Sequence, residues 1–324
     1  MGQSTILREK PLFIAQTVPE YEIALFELAE EISHSDDVTS NKKCYTEFNR
    51  LLRKLCKRHE LERRLLLERR ILGKRINVPF LLPKYVKNRK KILIIGGIHP
   101  KESLTSLATL ACYGINENID LYSVPVITPT NFVFATNKYY DIFYDSINFS
   151  RAPRTLGGLF KIARASGLEL RGSENIFDGD EYWGVRSAIP YNYWAARRHS
   201  LFINEVQVEY NSLRRVLKNR KFDLVIEFHD SEVPFDLSIF NSKQLEYARR
   251  IAKIVASRYP VIEPESELAK YENVVERGIV LDKPYEDGIN EYCLKRGIEY
   301  LTVELDRRDP TRPLEQAKLL IEQI

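Results

Sequence analysis

Cysteine is scarce in this 324-residue chain, which has only four. Cys44, Cys56, Cys112 and Cys293 are far apart and form no Cys-x-x-Cys pair. That excludes a disulfide-dense scaffold and a cysteine zinc knuckle, and it points to a reducing compartment. Cys44 and Cys56 read as small buried apolar groups. Glycine and proline, at 14 and 15 residues, are too few for a collagen-like or low-complexity chain. No apolar run approaches the roughly 18 residues of a membrane span. The opening MGQSTILREKPLFIAQ has no secretory apolar core, and Ile6 stands where a myristoylation signal wants Ser or Thr. An excess of one charge is also missing: 49 Lys and Arg face 45 Asp and Glu, a net +4. So mild a balance announces neither a nucleic-acid nor a membrane partner. The expectation is a soluble, cytoplasmic protein.

What is present is a globular balance, 44% hydrophobic and 29% charged, over a length that suits one or two domains. Helical spacing predicts a short helix over residues 19–33, with Tyr21, Leu25, Leu28 and Ile32 on one face. A longer one is expected from about Tyr45 to Arg64, its basic residues forming a solvated face. Two β-like runs follow, RRLLLERRIL and INVPFLLP, around Gly73. The run KILIIGG then has the look of a strand buried on both faces. A helix is expected over 103–113, strands near 123–128, 223–228 and 300–305, and helices near 203–218, 242–257 and 290–296. Strands alternating with helices predict an α/β fold: a mostly parallel or mixed open sheet with helices on both faces. No elements are assigned over residues 149–200, an aromatic stretch holding Trp183 and Trp194.

Only five histidines are available. His34, His59 and His199 sit among polar or basic neighbours and read as solvent-facing. His99 and His229 each follow a buried strand, where ligands of open α/β sheets bind. His99 heads the tetrad His99-Pro100-Lys101-Glu102, so one turn offers an imidazole and a carboxylate three residues apart. His229, after DLVIEF, offers a third donor. Catalytic zinc takes three such protein ligands and keeps one open position. Near the end, GIEYLTVELDRR is a strand whose inner alternation closes at Glu304, placed to act as general base. The alternative for Glu304 is an ion pair with Arg307 or Arg308.

The ordered segments GGIHPKE, DLVIEFHDS and GIEYLTVEL resemble the zinc metallocarboxypeptidase family. LLLERRILGKRINVPFLL is similar to that family's early hairpin. The resemblance covers residues 45–324, leaving 1–44 as an N-terminal helical extension. It implies one zinc per chain on His99, Glu102 and His229, at the carboxyl ends of the strands, with Glu304 as base and a peptide or small amide as substrate. The family's adjacent Asn-Arg pair has its nearest counterpart in Asn148 and Arg151, which are not adjacent, and Arg154 and Arg186 are other candidates for the substrate carboxylate. Counting back from Glu304, Ile289 falls near the specificity pocket and favours an apolar or neutral side chain. Tyr285 is a transition-state donor or a packed aromatic. Three functions remain open at this point: a carboxypeptidase; an amidohydrolase of the related aspartoacylase and desuccinylase branch, acting on small N-acyl amino acids; and a non-catalytic scaffold of the same fold.

Overall fold

The apolar run KKILII becomes the third strand of a nine-stranded sheet in a computed structural model of the chain. The structure describes residues 20–34, 38–71, 74–87, 89–97, 102–127, 213–270, 273–284 and 289–324. The strands are β1 (Leu61–Ile71), β2 (Lys74–Pro83), β3 (Lys90–Ile95), β4 (Ile119–Val124), β5 (Leu224–Ser231), β6 (Asp236–Ile239), β7 (Val274–Glu276), β8 (Ile279–Leu281) and β9 (Glu299–Asp306). Their order across the sheet is β1-β2-β4-β3-β5-β9-β6-β8-β7. The central strands β4, β3, β5 and β9 run parallel, while β1–β2, β2–β4, β6–β9 and β7–β8 pair antiparallel. The sheet is therefore mixed.

Both faces of the central strands are covered, which is why they read as continuous apolar runs rather than alternating ones. The first face carries Ile92 and Ile94 of β3, Ile226 and Phe228 of β5, and Leu301 and Val303 of β9. Against it lie α1 (Glu20–Ser33), α2 (Val38–Arg58), α3 (Ser103–Ala111), α4 (Leu245–Ala256) and α6 (Arg312–Glu322). The second face carries Leu93, Ile95, Val225 and Tyr300. It is covered by α5 (Ile289–Leu294) and by a helical segment at 213–219 that contributes Leu213 and Leu217.

Several elements depart from the expected bounds. The helix expected to reach Arg64 ends at Arg58, because Glu60 adopts a positive φ of 49° and Leu61 enters the β1 ladder with Pro83. At its start α2 extends back to Val38, across residue 44, and Phe48, Leu51 and Leu55 share one core with Leu25 and Leu28 of α1. The exposed basic residues Arg53, Lys54, Lys57 and Arg58 form its solvated face. Strand β4 starts at Ile119, earlier than expected. The short strands β6, β7 and β8 were not anticipated; three or four residues offer too few positions for a period of two to register. All four cysteines are free, and Cys44, Cys112 and Cys293 are buried. No helix among the described residues is long and apolar enough to cross a membrane.

Candidate metal centre

The carboxyl end of β3 lies close against α3, and two glycines make room for the contact. A Cβ on Gly96 would stand 2.6 Å from Thr109 Oγ1 and 2.7 Å from the Thr105 carbonyl. Gly97, at φ +61°, leaves no space either, since its Cβ would meet Ser106 Oγ at 2.5 Å. The helix is thus seated directly on the strand end. Its first turn is locked there: the Gly97 N–H donates to Thr105 Oγ1 (2.7 Å), whose hydroxyl donates to the Glu102 carbonyl (2.6 Å). Glu102 occupies the N-cap of α3 but makes no side-chain cap hydrogen bond. Its buried carboxylate turns toward β5 instead.

There it meets His229. Glu102 Oε1 lies 3.1 Å from His229 Nδ1, and both side chains are only 9% exposed. The other ring nitrogen, Nε2, lies 2.7 Å from Oε1 of Glu227, two residues back on the same face of β5. The second Glu227 oxygen accepts the Tyr300 hydroxyl from β9. Burial opposes charge on the imidazole, but the flanking carboxylates of Glu102 and Glu227 outweigh it and hold His229 well above its usual pKa. Both nitrogens then donate to carboxylates.

Glu304 is the direct β9 neighbour of His229 in the parallel ladder, so the two side chains leave the same face side by side. The two arginines that follow Glu304 in the chain contact other carboxylates. Arg307 donates to Asp230 Oδ1 (3.2 Å) and approaches Glu232 (3.6 Å), and Arg308 makes two bonds to Asp306, at 2.8 and 2.7 Å. Asp230 is buried, and this together with the nearby Glu102 charge, against Arg307, pushes its carboxyl up to about 8.

The structure therefore brings together three of the predicted residues, Glu102, His229 and Glu304. Ile289 opens α5 and is fully buried in the second-face core with Tyr300. His99, Tyr285, Asn148 and Arg151 lie outside the described residues, as do Arg154 and Arg186. Among the described residues, no group of three His, Cys, Asp or Glu side chains is placed to hold a metal ion. The two described donors do fit zinc chemically. A carboxylate oxygen and an imidazole nitrogen converge in a buried site, and the far nitrogen is held by an outer carboxylate, the support common around zinc-bound histidines. Sequence reasoning gave no role to Glu227 or Tyr300. A glutamate two positions before a strand-borne histidine was the available signal, since a period of two puts both on one face.

No protein-family model matches the chain, and no curated protein sequence does. Solved structures do resemble it. A candidate metallopeptidase from Shewanella denitrificans OS217 superposes with a TM-score of 0.53 at 13% identity, over 86% of this chain and 88% of that one. Another, from Shewanella baltica OS155, gives 0.52 at 14% identity, over 85% and 89%. Thrombin activatable fibrinolysis inhibitor gives 0.50 at 13% identity, over 92% of this chain and 79% of that one. At such identities the likeness establishes the fold, and the chain has the α/β fold of these metallopeptidase-like structures.

Proposed function

We propose that the chain is a zinc-dependent hydrolase, a metallocarboxypeptidase that releases the C-terminal residue of a peptide. One observation carries the reading: the Glu102 carboxylate and His229 Nδ1 converge, with Glu304 beside His229 on the next strand. His99, Glu102 and His229 would hold one zinc per chain. When bound, zinc supplies Lewis acidity that polarises a carbonyl and activates water.

The chain's own residues do the rest. Glu304 takes a proton from the water whose oxygen attacks the scissile carbonyl carbon. It returns that proton to the amide nitrogen as the C–N bond breaks, so the base of the first step is the acid of the second. Arg151, with Asn148, grips the substrate's terminal carboxylate through a bidentate fork. Tyr285 donates to the developing oxyanion. The free carboxylate is what distinguishes this substrate from an internal peptide bond.

The test compares zinc-loaded protein on one peptide with a free and with an amidated C-terminus, and on N-acyl amino acids. Release of the last residue from the free peptide, sharply reduced by amidation, is the expected result, and Arg151→Ala should abolish the difference. Equal cleavage of both peptides, or cleavage of N-acyl amino acids alone, overturns the carboxypeptidase reading.

A further inference from the structure

The residues around His229 include a buried group that the proposed reaction does not use. Glu227 is 3% exposed, and a carboxylate so deep in a sheet is retained only when donors satisfy it. His229 and Tyr300 are among its partners. Its Oε1 faces His229 Nε2 at 2.7 Å, and its Oε2 accepts the Tyr300 hydroxyl. Tyr300 is itself fixed. It is fully buried, its ring meets Phe240 edge-on at 5.7 Å, and its carbonyl accepts from Gln244 Nε2 at 3.0 Å. The ladder sets the spacing, because β5 and β9 run in register with Val225 opposite Tyr300 and Glu227 opposite Thr302.

We infer that Glu227, anchored by Tyr300, is the positioning residue that fixes the His229 ring with Nδ1 turned toward Glu102. The inference rests on the metal site proposed above. A carboxylate is an acceptor only, so Nε2 facing Glu227 keeps its proton, and Nδ1, turned toward Glu102 at 3.1 Å, is the nitrogen that must give up its proton to offer a lone pair to a cation. The orientation of the ring thereby selects which nitrogen can become the metal donor. Without Glu227 the ring keeps only its Glu102 contact among those described and is less firmly held in the competent orientation. Outer-sphere groups of this kind typically change metal affinity by about 10–100-fold.

The experiment measures zinc affinity by competition with a chelator at fixed pH, on full-length protein, for the parent, Glu227→Gln and Tyr300→Phe. The melting temperature of each metal-free protein is recorded alongside. Gln keeps the shape of Glu227 but loses the charge and can turn its amide toward the ring. Phe keeps the packing of Tyr300 and removes only the anchor. The expected result is a loss of zinc affinity of about 10–100-fold for Glu227→Gln and a smaller loss in the same direction for Tyr300→Phe. In cobalt-substituted protein the visible spectrum should change in both variants. A purely structural role predicts lower melting temperatures with zinc affinity and cobalt spectrum unchanged, and that result overturns the inference while leaving the metal site standing. A parent protein that binds no zinc overturns the site and the role of Glu227 together. Should Glu227→Gln not fold, the Tyr300→Phe affinity and spectrum decide by the same criteria.

Discussion

Replacing Glu304 by Gln separates an enzyme from a scaffold of the same fold. The two side chains have nearly the same shape, and Gln cannot accept a proton from water. If Glu304 were only a surface ion-pair partner, its loss would cost about 0–1 kcal/mol of stability and leave activity intact. Arg307 contacts Asp230 at 3.2 Å, and Arg308 contacts Asp306 at 2.8 and 2.7 Å. Glu304 shares a rung of the β5–β9 ladder with His229. Removing a general base typically costs ~10²–10⁴-fold in rate, which corresponds to about 3–5 kcal/mol of barrier. Glu304 is not among the proposed zinc ligands, so zinc content should stay at the parent value and the melting temperature should move by a few degrees at most. The assay is therefore threefold on one variant: bound zinc, thermal melting, and kcat for release of a C-terminal residue. Retained zinc, retained fold and retained turnover would refute the assignment of Glu304 as base and remove the main chemical reason for reading the chain as a hydrolase.

Further outcomes follow from other parts of the site and fold. His229→Ala should lose zinc even after metal is added back, as measured by metal analysis against the parent. Asp306→Asn should destabilise the fold by roughly 1.5–3 kcal/mol at neutral pH, the range for hydrogen bonds to a charged group, because the buried Asp306 carboxylate accepts from both Arg308 and Arg312. Burial opposes ionisation of Asp306, but those two arginines outweigh it and hold its pKa below the ordinary value. A carboxyl group whose folded pKa is depressed stabilises at pH above its unfolded value and loses that contribution as pH falls through the folded one. The parent's advantage over Asp306→Asn in denaturant melts should thus be full above about pH 4 and shrink below it.

The sequence was legible where physics acts locally. A strand buried on both faces must be apolar at nearly every position, so β3 and β5 announced themselves. His99 and His229 stood out because each follows an apolar strand run, and Glu102 because it lies three residues beyond His99. The β1–β2 hairpin was visible through its glycine and its paired apolar runs. Less legible were features created by pairing at long range. Strands β6 and β8 hold their places through neighbours across the sheet, Leu237 opposite Val303 and Ser238 opposite Val280, and carry no pattern of their own. The end of α2 turned on Glu60, whose positive φ no propensity scale assigns to glutamate. Glu227 could be seen beside His229, yet its partner Tyr300 lies 73 residues further on, and only the strand register brings the two hydroxyl and carboxylate groups together.

The sheet topology gives a reason, independent of any family, for the proposed site to lie where Glu102 meets His229. Strands β3 and β5 are adjacent, yet the chain leaves β3 for β4 on one side and reaches β5 on the other. The helix after β3, α3, packs on the first face, whereas the helical segment preceding β5 packs on the second through Leu213 and Leu217. Connections that part in this way leave a crevice at the carboxyl ends of the two strands, which is the general position of ligands in open α/β sheets. Glu102 follows one of those strands and His229 lies near the end of the other, so the two side chains are delivered to the crevice by the order of strands itself. Glu304 comes from β9, the next strand outward, and reaches the same edge only because β9 is parallel to β5 and in register with it. A slip of that register by one residue would turn Glu304 to the opposite face, away from His229. Leu305 on one side and Val303 on the other, both fully buried, resist such a slip, because it would exchange them with Glu304 in the first-face core. The packing of β9 therefore fixes the position of the proposed base as firmly as it fixes the fold.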